Sequence, residues 1–137
     1  MTAVLDCTFC AALFLPHERS ARVKEVFRGF DEAAEVLVPV QWWTEMTELI
    51  WTAIVRGRLK HADAVEISGL LEQYRFVTET AFGAAYTERI IDLSGLYGIN
   101  PLEASYLELA VRKQARLGTL DGKLRAACQK SGVELLL

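Results

Sequence analysis

The chain's 137 residues fit one domain, and 52% hydrophobic residues suffice to fill the core of a covered sheet. A net charge of −3 is the opposite of the strongly basic surface that holds nucleic acid by bulk electrostatics, so any such contact has to be local. The apolar stretch MTAVLDCTFCAALFLP has no Lys or Arg before Arg19 and is interrupted by Asp6. It reads neither as a signal peptide nor as a bilayer span, and the expected compartment is the cytoplasm.

Ala3-Val4-Leu5 predicts a buried strand ending at Asp6, and Thr8 to Leu15 a helix stopped by Pro16. Ser20 suits the cap of a helix reaching about Phe30, and Val36-Leu37-Val38 is a second β-branched run stopped by Pro39. From Gln41 to Val55, Trp42, Trp43, Met46, Leu49, Ile50, Ala53 and Ile54 recur at helical spacing, and Gly57 fits the stop. A helix over 61–74, a short strand at Phe76-Val77 and a helix over 82–97 follow. The last places Phe82, Tyr86, Ile90, Leu93 and Tyr97 on one face before Gly98.

Asn100-Pro101-Leu102-Glu103 is a helix start with Asn as N-cap, Pro in the first turn and Glu closing a capping box; that helix is expected to reach about Arg116. Leu117 to Leu120 is a fourth strand candidate, Asp121 caps a helix through Gln129, and Val133 to Leu137 is expected to close the sheet as a fifth strand. Strands alternating with helices imply parallel βαβ units with right-handed crossovers. The expected fold is therefore α/β: a central, mostly parallel sheet of about four to five short strands flanked by helices, with 1–137 as a single domain.

Asp6, Glu45, Glu103 and Asp121 each sit at or near a helix start, and three of these helices closely follow a strand-like run. In a parallel α/β sheet such junctions gather along one edge. Two unit charges 5 Å apart interact by roughly 3 kcal/mol at an effective dielectric of about 20, so gathered acids call for a cation. Singly, each acid has a local explanation: Asp6 and Asp121 as N-caps, Glu103 in a capping box, Glu45 favoured by its helix dipole. Together they point to a hard divalent cation such as Mg²⁺, which prefers oxygen and takes one or two carboxylates directly. Such an ion activates water and neutralises charge on a phosphate oxygen. Thr8 and Thr119 lie two residues from Asp6 and Asp121, and their hydroxyls suit either a metal-bound water or phosphate oxygen, or a turn.

These residues resemble the PIN-domain family, in particular the VapC-type ribonuclease toxins of toxin–antitoxin pairs. The resemblance spans nearly the whole chain: AVLDCTFCAALFLPHE, VPVQWWTEMTELIW, INPLEASYLELAVRKQ and GTLDGKLRAACQKSGVELL occur in the family's order and spacing. It implies that Asp6, Glu45 and Asp121 are metal-binding acids. Glu103 falls where the family usually has Asp, and Glu48 where it often has Asn. The resemblance further implies Mg²⁺ or Mn²⁺ dependence, hydrolysis of RNA phosphodiesters, homodimers, and an antitoxin that covers the acidic cleft and pairs its acids with a basic side chain.

Other features have plainer readings. Cys7, Cys10 and Cys128 are an odd set expected to be free thiols, because Asp6 disfavours the thiolate that a Cys7-Thr-Phe-Cys10 redox pair requires. With His17 and His61 they lack zinc-ligand spacing. Arg56, Arg58, Lys60 and His61 could contact RNA phosphates, or simply follow a helix C-terminus with its favourable dipole. Trp42, Trp43 and Trp51 suit a core or dimer interface better than base stacking. Arg112, Lys113 and Arg116 read as an exposed helix end. The leading expectation is a metal-dependent endoribonuclease, and the alternative a weakly active or inactive PIN-like module that binds nucleic acid or protein. A phospho-acceptor receiver domain is disfavoured, because Asp6 follows Val4-Leu5 with no second acid beside it.

Overall fold

The computed structural model describes all 137 residues. Four short parallel strands, β1 (Thr2–Leu5), β2 (Glu35–Pro39), β3 (Val77–Glu79) and β4 (Arg116–Gly118), lie in the order β3-β2-β1-β4. Ala3 pairs with Val36 on one side and Arg116 on the other, and Val4 with Leu37 and Leu117. Ala3, Val4, Leu5, Leu37 and Val38 are wholly buried, as expected of parallel strands covered on both faces.

Helices α1 (Cys7–Phe14) and α2 (Ser20–Arg28) connect β1 to β2, and α3 (Gln41–Val55) and α4 (His61–Gln73) connect β2 to β3. Helices α5 (Ala84–Tyr97) and α6 (Pro101–Lys113) carry the chain from β3 back across the sheet to β4, and α7 (Gly122–Ser131) follows. The strand order therefore reverses at β1, which opens a crevice beyond the carboxyl ends of β1 and β4. Helix α6 packs against β1, β2 and β4, and its residues Ala104 to Ala110 are all buried. No helix is long and apolar enough to cross a membrane.

Several elements differ from the sequence reading. Ser20 begins α2 rather than capping it: its hydroxyl accepts from the His17 amide at 3.1 Å, while Arg19 stands at the cap without a side-chain bond. Phe82 lies outside α5 and is 84% exposed, so the expected apolar face begins at Tyr86. Strand β3 begins at Val77, because Phe76 packs against Trp42 and Tyr74 instead of joining the ladder. Helix α6 stops at Lys113, where Gln114 turns left-handed at φ 51°, which frees Arg116 to pair in β4.

The expected fifth strand is reduced to one parallel bridge between Leu117 and Leu135. With β4 only three residues long, the bonds from Leu117 N to Glu134 O and from Leu136 N to Leu117 O, at 2.9 and 3.0 Å, complete the available ladder. At Gly118 a Cβ would meet Leu5 Cδ2 at 2.7 Å, Leu136 Cδ1 at 3.0 Å and Phe9 Cδ2 at 3.2 Å, so glycine is what lets β4 close on β1 beside the crevice.

Candidate active site

Asp6 sits where β1 becomes α1. As N-cap it accepts from the Phe9 amide at 2.9 Å through Oδ1, which also accepts from the Thr8 hydroxyl at 2.7 Å. Its Oδ2 accepts from the Thr119 hydroxyl, which reaches across from the loop after β4. Thr119 is itself buried and accepts from the Asp121 amide at 3.0 Å, while Thr8 accepts from the Leu120 amide at 2.9 Å. Two hydroxyls thus staple the β1 and β4 loops together. Asp121 caps α7 through Oδ1, which accepts from Leu124 N at 2.8 Å, and its second oxygen lies outside that bond.

Asp6 is 4% exposed, and burial pushes its carboxyl up to about 6. The bonds from Thr119, Phe9 and Thr8 pull it down, and the Asp121 charge raises it further. The two acids therefore feel each other across the crevice, as groups that a cation would join.

Glu45 lies on the next layer, on α3 after β2. Its Oε2 accepts from the Tyr106 hydroxyl at 3.0 Å, and its Oε1 is buried without a hydrogen-bond partner. Cys7, the residue after Asp6, packs beside Tyr106: its Sγ is 3.5 Å from both the Trp42 carbonyl and the Tyr106 hydroxyl. Burial pushes its thiol well up, and the Glu45 and Asp6 charges push it further, so it stays protonated. Cys10 is likewise pushed well up by burial, and Cys128 up to about 11, mainly by burial. All three are free thiols.

Glu103 is engaged elsewhere. Its Oε2 accepts from the Asn100 amide at 2.9 Å while Asn100 Oδ1 accepts from the Glu103 amide at 2.8 Å, a closed capping box. No three or more His, Cys, Asp or Glu side chains gather as an ion-holding group. A hard cation that keeps its waters needs only one or two carboxylates directly, and the carboxylates of Asp6 and Asp121 are of the oxygen chemistry it would take, while Glu45 Oε1 is a buried oxygen without a partner. These residues do not form a closed cage of protein ligands.

Glu48 is exposed on α3. Arg56, Arg58 and Lys60 are exposed beyond the far end of α3, and Arg56 is roughly 16 Å from Glu45 along the helix axis. Trp42 is fully buried, Trp43 donates its Nε1–H to Thr78 Oγ1 at 2.9 Å, and Trp51 is 61% exposed. Arg112 and Lys113 are ion-paired rather than free, to Glu79 at 3.8 and 3.2 Å, and Arg116 pairs with Glu134 at 3.0 Å. The sequence reading did not single out Tyr106. The signal was present in a hydroxyl-bearing ring in the middle of the Ala-Ser-Tyr-Leu-Glu-Leu-Ala run of α6.

No protein-family profile matches the chain. A curated relative, ribonuclease VapC3 of Pyrobaculum aerophilum, is 28% identical over 127 residues, covering 90% of this chain and 92% of the relative. Among solved structures, PAE2754 of Pyrobaculum aerophilum superposes with a TM-score of 0.68 at 18% identity, over 93% of this chain and 79% of that one. The Mycobacterium tuberculosis toxin VapC20, described as cleaving the sarcin–ricin loop, superposes with a TM-score of 0.67 at 19% identity, over 91% and 94% of the two chains. These two structures share the fold.

Proposed function

We propose that the chain, similar over most of its length to ribonuclease VapC3, is a VapC-type PIN-domain protein and a divalent-cation-dependent endoribonuclease acting as the toxin of a toxin–antitoxin pair. The observation that carries this reading is the buried Asp6 carboxylate at the strand-order reversal, held by the hydroxyls of Thr8 and of Thr119, two residues before Asp121, which tie the β1 and β4 loops together. Asp6 and Asp121 would hold Mg²⁺ or Mn²⁺, with Glu45 orienting its water shell. When bound, the cation supplies a water acidic enough to act near neutral pH and neutralises charge on the scissile phosphate.

The chain's own residues do the positioning. Thr119 and the Phe9 amide fix both oxygens of Asp6, and the α7 cap fixes Asp121. Thr8 and Thr119 are accessory donors at the crevice. Glu48 adds negative charge one turn from Glu45, while Glu103 serves through the α6 cap. Arg56, Arg58 and Lys60, well away from the acids, would contact RNA outside the scissile phosphate. An antitoxin segment carrying a basic side chain is the complementary partner for the acidic crevice.

Purified protein is expected to cleave RNA with Mg²⁺ or Mn²⁺ and to lose all cleavage in EDTA. Cleavage that persists in EDTA would sink the metal-dependent reading. A second reading, a PIN-like module with little or no catalysis, is favoured by the engagement of Glu103 in its capping box. Calorimetry showing no Mn²⁺ binding, together with no cleavage across a broad RNA panel, would select it.

Homodimer formation is supported by large apolar side chains left in solvent on and around α5 and α6: Ile91 is 62% exposed, Leu96 72% and Leu102 52%. Light scattering is expected to give twice the 15.3 kDa chain mass, and Leu102→Glu to return it to a monomer. A monomeric wild type at micromolar concentration would dispose of the dimer.

A further inference from the structure

We propose that Tyr106 is a positioning residue for Glu45, fixing one carboxylate oxygen so that the other is left for a divalent cation or for water bound to it. This rests on the nuclease reading above. Three observations carry it. The Tyr106 hydroxyl donates to Glu45 Oε2 at 3.0 Å, and a phenol has one proton to give. Glu45 Oε1 is buried and has no donor within reach, which is an unusual state for a carboxylate oxygen unless something outside the protein completes it. Tyr106 itself cannot swing away, because it is 3% exposed within the buried central stretch Ala104–Ala110 of α6, with Cys7 Sγ 3.5 Å from its hydroxyl.

Glutamate has three rotatable side-chain bonds, and on a half-buried helix position it would otherwise sample several orientations. A hydrogen bond from a buried ring removes that freedom and decides which oxygen is spoken for. Tyr106 lies 61 residues from Glu45, so the contact exists only because α6 packs across β2, β1 and β4 of the sheet. Partners of this kind, which hold a ligand without touching the ion, typically govern metal affinity by about 10- to 100-fold.

The test is Mn²⁺ binding to the full chain, followed by electron paramagnetic resonance titration, with and without Tyr106→Phe. Phenylalanine keeps the buried ring and removes only the hydroxyl. The variant is expected to bind Mn²⁺ about 10- to 100-fold more weakly and to need correspondingly more Mn²⁺ for half-maximal cleavage. In a Glu45→Gln background, already weakened, Tyr106→Phe is expected to add nothing. Wild-type affinity in Tyr106→Phe alongside weakened Glu45→Gln would overturn the positioning role while leaving the nuclease reading standing. So would a Tyr106→Phe effect of full size in the Glu45→Gln background. A wild-type chain that binds no Mn²⁺ would instead overturn the nuclease reading itself, and the positioning role with it.

Discussion

Replacing Asp6 by asparagine is expected to lower RNA cleavage by roughly a thousandfold and, near neutral pH, to make the protein more stable. The loss of activity follows from removing a charge at the centre of the crevice. About 4 kcal/mol of transition-state stabilisation, the scale on which a bound cation acts, corresponds to a factor of about a thousand. The gain in stability follows from burial. The Asp6 carboxyl is pushed from the ordinary 3.8 up to about 6, chiefly because it is buried, and Asp121 adds to the effect. The folded protein therefore holds this proton more tightly than the unfolded chain does.

Stability from this group is consequently highest below about pH 4, falls as pH rises through the window from 3.8 to about 6, and is unfavourable by roughly 3 kcal/mol above it. Asparagine carries no such charge. Its carbonyl can still accept from Thr8 and the Phe9 amide, and its amide can donate to the Thr119 hydroxyl. Denaturant unfolding in EDTA is expected to show Asp6→Asn more stable than wild type by about 1–3 kcal/mol at pH 7.5, with the difference vanishing near pH 4. Added Mn²⁺ is expected to close the gap by stabilising only the wild type. A variant less stable at pH 7.5 would show that the Asp6 charge is already compensated by the protein.

The second large effect is expected on the opposite side of α6, and on stability alone. Glu108 is 5% exposed, and Arg112 grips it through Nε at 2.8 Å and a terminal nitrogen at 3.3 Å, with Arg89 at 3.6 Å. Removing the arginine leaves a buried carboxylate with one distant partner, whereas removing the glutamate leaves an arginine that reaches both Glu79 and water. Arg112→Met is therefore expected to cost about 3 kcal/mol in urea unfolding, Glu108→Met about 1 kcal/mol or less, and the double variant less than Arg112→Met alone. Equal costs for the two single variants would mean that the pair is solvated rather than buried. The same pair holds α5 to α6 and, through Glu79, both to the end of β3.

Much of the architecture is local and was readable. The period of α3 over Gln41–Val55, the Asn100-Pro101-x-Glu103 start of α6, the left-handed stop at Gly98 and the β-branched runs of β1 and β2 are each decided by neighbours a few residues apart. The three capping acids behave as their positions imply. Reading failed where a distant partner settled a local ambiguity. Leu135 has strand character, yet it finds only a three-residue partner strand, and Arg116 leaves the helical pattern because β1 offers it a ladder. Ser20 fits a cap but stands inside the helix, where its hydroxyl accepts from the His17 amide and donates to the Leu15 carbonyl.

By itself, then, the sequence determined the alternating α/β plan, the free thiols and the identity of acids able to serve at strand ends, because spacing and side-chain chemistry are properties of the chain alone. Only the tertiary structure decided which partner each acid meets. Asp6 meets Thr119 across 113 positions and Glu45 meets Tyr106 across 61, while Glu103 closes on Asn100, three residues away. Those outcomes depend on the β3-β2-β1-β4 order and on α6 crossing the sheet, and no periodicity along the chain encodes a distance between strands.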